Sequence, residues 1–388
     1  MADQNTRSTT RRTFLANGVT GGVIGTAGCQ IRMPTWLFGD PDPPPFGPVE
    51  HGWRMAGRDA ANTAHNPGAT GPRTEPEVVW EITFAEPRTP RVLIDEEILV
   101  ATDTETLHVF DLDAGELVWS SEIDARMQTP ALGPEKVYVR TGDRELSAFD
   151  THTGERTWIH SGTGGASAYD FRYPVVHEGV VYTADADGTV YALDTDDGTI
   201  RWQTNSELGP RVQFRPAIDD DRLYLGGEQD VAAFAVDDGP RLWKHSDASG
   251  SLVATEERIY AGGTPAVALR ADGTEKWRTD PEGDSYSIPA VADGRAYVTH
   301  DKVEARDADS GEVLWTGDTR TGMRGQPVVD SGTVYVGSTY SRRLVSAVDS
   351  TDGSLLWDRS VPEAPNHLCV VDDVLLVGVA TGKLLALA

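Results

Sequence analysis

Ala148-Phe149-Asp150-Thr151-His152-Thr153-Gly154-Glu155-Arg156-Thr157-Trp158 is the stretch whose reading decides the fold. Alanine stands first, aspartate third, glycine seventh and tryptophan last, and the same phrase returns at 192–202, 305–315 and 347–357. Partial copies end at Trp119 (with Asp111 and Gly115), Trp243 (with Ala233 and Gly239) and Trp277 (with Gly273). Together with Trp80, eight tryptophans, Trp80, Trp119, Trp158, Trp202, Trp243, Trp277, Trp315 and Trp357, recur at intervals of 34 to 44 residues. Each part has a mechanical reading. The alternating run ending in Ala-x-Asp is a strand with a small inward residue. Asp-x-x-x-Gly is a tight hairpin that needs positive φ at the glycine, and the tryptophan is a large plug between neighbouring units.

Upstream of each phrase lies a β-rich tetrapeptide with an aromatic in register, as in Lys136-Val137-Tyr138-Val139, Arg222-Leu223-Tyr224-Leu225 and Thr333-Val334-Tyr335-Val336. Further upstream a proline opens the first strand of several units: Pro130, Pro174, Pro216, Pro289 and Pro327. Proline is tolerated there because a strand's first residue owes no ladder bond. Four short strands per roughly forty residues, repeated at fixed period, predict an all-β propeller of four-stranded antiparallel blades.

The blade count follows from the ends. Seven complete units end at Trp119 through Trp357, whereas Val78-Val79-Trp80-Glu81-Ile82 is a last strand with no preceding three. Residues 370–379 and 384–388 supply early strands of a unit that stops before any tryptophan. The two halves make an eighth blade, so the N-terminal strand paired with the C-terminal hairpins is expected to close the ring and leave it without an open edge.

These phrases resemble the tryptophan-docking, pyrroloquinoline-quinone (PQQ)-like repeats of quinoprotein dehydrogenases and of the propeller lipoprotein in the outer-membrane barrel-assembly machinery. The resemblance covers roughly residues 75–388. The segment 53–66, Trp53-Arg54-Met55-Ala56-Gly57-Arg58-Asp59-Ala60-Ala61-Asn62-Thr63-Ala64-His65-Asn66, is similar to the peptide that precedes the first blade in such proteins and is expected to pack across the propeller. For an enzyme the resemblance implies PQQ, a calcium ion held by carboxylate and amide oxygens, an aspartate base and often a vicinal disulfide. This chain has no Cys-Cys pair, no Cys-x-x-Cys-His for a c-type haem and none of the long insertions that carry the dehydrogenase site. Fold alone names no activity.

The N-terminus reads as a targeting segment. Thr10-Arg11-Arg12-Thr13-Phe14-Leu15 resembles the twin-arginine export motif, and the glycine-rich run 16–27 behind it is too short to span a bilayer. Thr26-Ala27-Gly28-Cys29 resembles a lipobox, with Cys29 as the lipidated residue; Thr26 departs from the larger aliphatic residue usual there, and an unmodified Cys29 is the alternative. The expected layout is a leader with lipobox at 1–28, a proline-rich tether at 29–50, an N-terminal extension at 51–74 and the propeller at 75–388. With Cys29 lipidated, Cys369 has no disulfide partner.

Sixty-one acidic residues against 34 basic ones give a formal net charge of −27, and only five of the basic residues are lysines. Such a surface repels nucleic acid. At molar ionic strength, where the Debye length falls to about 3 Å, its self-repulsion largely vanishes, so the composition reads as halophilic, of haloarchaeal type. The bland alternative is an acidic exported protein.

Other chemical signals are thin. Asp185-Ala186-Asp187-Gly188 and Asp194-Thr195-Asp196-Asp197-Gly198 lack the spacing and distal glutamate of calcium loops and read as Asp-Gly turns. His108, His152, His160, His177, His245, His300 and His367 show no metal-ligand spacing. One constellation stands out against the acidic background. Arg88, Arg126, Arg172, Arg215 and Arg324 lie just before or at the opening of a blade's first strand, the strand that lines a propeller's axis, and are expected to converge on one mouth. There they would receive an anionic ligand or acidic peptide; ion pairs between blades are the competing use.

The reading is therefore an exported, lipid-anchored, non-catalytic binding or scaffold propeller at the outer face of the cytoplasmic membrane, with no cofactor and no metal. It is expected to be monomeric, with a membrane or extracytoplasmic protein as partner and no nucleic acid. The alternative is a PQQ- and calcium-dependent quinoprotein oxidoreductase. The barrel-assembly role does not transfer if the cell has a single membrane.

Overall fold

The computed structural model describes residues 48–388 except 104, 124–128, 142–144, 163–171, 186, 210–214, 280–286, 318, 320–324 and 339–341, together with the backbone alone of Arg172. The expected leader, its Arg11, Arg12 and Cys29, and most of the tether lie outside the described residues.

Among the described residues, thirty-two strands form eight four-stranded sheets, each antiparallel throughout. Blade 1 runs β2 (Arg91–Asp95), β3 (Ile98–Thr102), β4 (Thr106–Asp111) and β5 (Leu117–Glu122). Blades 2 to 7 repeat this order. The eighth is composite: β30 (Pro365–Val371), β31 (Val374–Val379) and β32 (Lys383–Leu387) are completed by β1 (Val78–Thr83). Trp80 pairs with Ala386 and Thr83 with Lys383, so the ring closes as the repeat count requires.

The phrase quoted above works through two contacts. Within a blade its alanine pairs directly with its tryptophan, as in Ala148 with Trp158, Ala192 with Trp202 and Ala347 with Trp357; the small side chain makes room for the indole. Between blades, the indole Nε1–H groups of Trp119, Trp158, Trp202, Trp243, Trp277 and Trp315 donate to a carbonyl in the next blade's turn. Trp119 reaches Thr151 O at 2.8 Å, Trp202 reaches Val236 O at 2.7 Å, and Trp243 reaches Ala271 O at 2.8 Å. The turn glycine lies flat under the ring. A Cβ on Gly353, which sits at φ +75°, would come within 2.4 Å of Trp315 Cε3. Glycine is therefore required twice, for the dihedral and for the approach of the neighbouring indole.

Blade 8 has no such turn to offer Trp357. Pro72 supplies the acceptor instead, taking the Trp357 Nε1–H at 2.8 Å, with the Tyr335 hydroxyl at 3.4 Å from the same oxygen. Pro72 ends a strap that crosses the end of the ring. Trp53 exchanges both backbone hydrogen bonds with Ile94 in blade 1, and the N–H groups of Leu132, Ile218, Ala254, Val291 and Val329 donate to carbonyls of Arg54, Ala60, Ala61, Thr63 and Ala64. These donors sit at or one residue before the ends of first strands, so the strap satisfies groups that the blades leave open. The Asn62 side chain, 2% exposed, donates to Pro216 O at 2.5 Å and Leu252 O at 3.1 Å. That of Asn66 donates to His51 O and Val370 O.

Candidate functional site: the axial channel

First strands surround the axis. β2 touches β6 (Ala131–Leu132) and β30; β6 also touches β10 (Arg172–His177); β14 (Ala217–Ile218) touches β18 (Leu252–Ala254); and β26 (Val328–Val329) touches β22 (Ala290–Ala292) and β30. The strap hydrogen-bonds chiefly toward the far end of these strands, away from where they begin.

Where they begin, β10 and β30 each carry a register shift, between Arg172 and Val175 and between Pro365 and His367. Such bulges re-aim side chains. Pro174 lies at the first of them, as the third residue of its strand, whereas Pro130, Pro216, Pro289 and Pro327 immediately precede theirs.

Arg215, on the lead-in to blade 4, sends Nη1–H to Gln326 Oε1 at 2.9 Å, on the lead-in to blade 7. Gln326 is held to that orientation because its amide nitrogen donates to Asn62 O at 3.2 Å and Pro289 O at 3.1 Å. The Arg215 guanidinium carbon lies 5.8 Å from the ring centroid of Tyr173, in blade 3, a cation–π distance. Arg91, the first residue of β2, donates from Nη1 to the backbone carbonyl of Asn366 at 3.2 Å, while its Nε is buried without a hydrogen-bond partner. Both arginines are half-buried. Burial pulls both guanidinium pKa values down, Tyr173 acts in the opposite sense on each, and Arg91 lowers that of Arg215 further.

His367 completes the group. Its Nε2 lies 3.2 Å from Val92 N and 3.1 Å from Val92 O. Burial, with the positive charge of Arg91 and then of Arg215, pushes its pKa down to about 3 against the Val92 hydrogen bond. The imidazole is therefore neutral near neutrality, and the positive charges of Arg91 and Arg215 act in the same direction as burial.

Of the five arginines singled out in the sequence, Arg215 lies in this channel. Arg88 is exposed on the connector between β1 and β2, its N–H bonded to Glu86 O. Arg172 opens β10, its side chain outside the described residues, and Arg126 and Arg324 lie outside them altogether. Arg91 and His367 were not singled out for the channel. A usable signal for Arg91 existed: Thr89-Pro90 repeats the Thr129-Pro130 opening, one residue before it.

Among the described residues no group of three His, Cys, Asp or Glu side chains is placed to hold a metal ion. Asp185 is spoken for internally, accepting from the N–H groups of Asp187 and Thr189 on Oδ1 and from the Tyr191 hydroxyl on Oδ2. The described channel lining offers guanidinium and amide donors rather than the carboxylate set a calcium–quinone centre requires, so these residues do not fit that group.

The described residues define an eight-bladed propeller with a strap hydrogen-bonded along its first strands. The family described as "Outer membrane protein assembly factor BamB" matches at residues 69–224, 165–260 and 227–388, and the chain belongs to that family. It is 28% identical to the protein of that name from Yersinia pestis over 212 residues, 52% of this chain and 47% of the relative. It is likewise 28% identical to that of Moranella endobia over 245 residues, 54% of this chain and 63% of the relative. The match thus spans about half to two thirds of these relatives' length. Among solved structures, BamB from Moraxella catarrhalis superposes with a TM-score of 0.62 at 17% identity, covering 80% of this chain and 99% of that one. The quinohemoprotein alcohol dehydrogenase of Comamonas testosteroni does so with 0.70 at 12% identity, covering 87% and 80%. At such identities both likenesses speak to the fold.

Proposed function

We propose that this chain is a non-catalytic docking propeller. A lipid on Cys29 holds it at the outer face of the cytoplasmic membrane after twin-arginine export, and it serves there as a scaffold for membrane-protein assembly, the role that its relatives' name carries. The observation that supports this reading best is the family match running through all eight blades. The surface adds to it: every exposed large apolar side chain among the described residues lies on a blade's outermost strand, among them Val79, Val118, Ile159, Leu242 and Leu314. Outermost strands carry the free blade edges, where an extended partner segment adds by backbone pairing. The channel is read as anion-receptive.

Among the described residues no helix is long and apolar enough to cross a membrane, so in this reading attachment runs through Cys29. The test is crosslinking in native membranes at high salt, followed by mass spectrometry, on wild type and Cys29→Ser. Recovery of membrane proteins or their assembly factors with wild type, and loss of membrane association in the variant, is the expected result. A wild-type chain that leaves the membrane in high salt and crosslinks to nothing there contradicts it.

A further inference from the structure

Among the described residues, the side chains gathered around Arg91 and Arg215 run opposite in charge to the chain as a whole. In a protein with 61 acidic residues, Arg91 and Arg215 face no carboxylate among the described residues within ion-pair distance. The contrast with the arginines elsewhere is direct: Arg54 meets Asp95 at 2.6 Å, Arg73 meets Asp349 at 2.7 Å, and Arg201 meets Asp194 at 2.8 Å. Arg215 instead has a neutral amide and an aromatic face, and Arg91 has one backbone carbonyl. A charge removed from water without a counter-charge is costly, and each guanidinium carries five donors. These contacts use one N–H of each, and Arg91 Nε is enclosed and unpaired. The neighbouring histidine adds no negative charge, and Tyr173 is a phenol.

We infer that Arg91 and Arg215, oriented by Asn366, Gln326 and Tyr173, form a binding site for a small oxyanion in the channel. The ligand class is a carboxylate or phosphate, whose paired oxygens suit the planar guanidinium fork. Gln326 is a positioning residue: the strap and blade 6 hold its amide nitrogen, so its oxygen must face Arg215 and turn the remaining donors toward the lumen. The site thereby couples the strap to the ligand through Asn62 O.

This inference rests on the anion-receptive channel of the proposed function and not on its docking partner; the crosslinking above tests the latter and titration tests the former. The probes are succinate and inorganic phosphate, added by calorimetry to the folded propeller in molar KCl, with further KCl as control. Saturable binding of at least one probe is expected, with the lower Kd naming carboxylate or phosphate as the class. Arg91→Gln and Arg215→Gln should each weaken it by about tenfold to a hundredfold, and Arg88→Gln should leave it unchanged. Arg215→Lys, which keeps charge but loses the fork, should fall between wild type and Arg215→Gln, and it also serves if the glutamine variant fails to fold. Absence of binding by both probes, displacement by chloride alone, or affinity indifferent to both arginines overturns the inference. So does the finding that a carboxylate of the chain's own neutralises the pair, seen as loss of stability in both Gln variants with no probe binding in wild type.

Discussion

Arg215 and Gln326, 111 positions apart in the sequence, meet at 2.9 Å in the propeller's interior. One stands before blade 4 and the other before blade 7, so the contact exists only because the ring is closed. Gln326→Leu removes the acceptor and also strands the carbonyls of Asn62 and Pro289. A loss of about 2 kcal/mol is expected, measured by urea unfolding in molar KCl, since a hydrogen bond to a charged group is broken in an enclosed place.

The glycines under the tryptophans separate two effects. Gly353 and Gly294 share nearly the same positive φ, +75° and +73°, but a Cβ on Gly294 meets nothing within 4 Å. Gly294→Ala should cost about 1 kcal/mol from the left-handed backbone alone. Gly353→Ala should cost at least about 2 kcal/mol more, because the Trp315 indole must move. Equal losses in paired urea melts would show that the blade interface tolerates the displacement.

The pH dependence of stability has an identifiable source in His367. In the unfolded chain its imidazole takes up a proton near its ordinary 6.5; in the folded protein it stays neutral until about 3. The unfolded state therefore binds more protons between these values. This contribution is fully present above pH 6.5 and is lost as the pH falls toward 3, with a slope of at most about 1.4 kcal/mol per pH unit. His367→Asn should flatten the stability curve in that window, whatever it does to the plateau above it. Urea midpoints taken from pH 7.5 down to 4 check this.

Cys369 is fully buried in β30, and burial pushes its thiol pKa well up. In Cys29→Ser it is the sole thiol, and it should stay silent toward an aromatic disulfide reagent until denaturant is added. Rapid reaction of the folded protein would mean that blade 8, the composite blade, opens readily.

Much of the fold was legible because one phrase does two local jobs. Ala-x-Asp-x-x-x-Gly-x-x-x-Trp encodes a hairpin and, through its glycine and tryptophan, the docking of that hairpin on its neighbours, so spacing alone gives blade number and closure. The acceptor for Trp357 was less legible. Pro72 takes the place of a turn that blade 8 lacks, and nothing local to Pro72 announces it. The channel was legible only in part. Arg215 was found by its place before a first strand. Arg91 and His367 come from different blades, and a histidine whose pKa is lowered by burial and then by arginines of two other blades carries no motif. Gln326 lay in the right segment, but its orientation depends on a carbonyl of the strap.

The proposed function makes this propeller a docking body rather than a quinone enzyme. The most direct measurement is to purify the protein from its own host at high salt, denature it, and assay the released small molecules for quinone and calcium, with titration of PQQ and calcium into the folded protein alongside. No stoichiometric quinone and no saturable uptake are expected. One equivalent of bound quinone, released on unfolding together with calcium, would contradict this reading and make the axial channel the place to look for a dehydrogenase site.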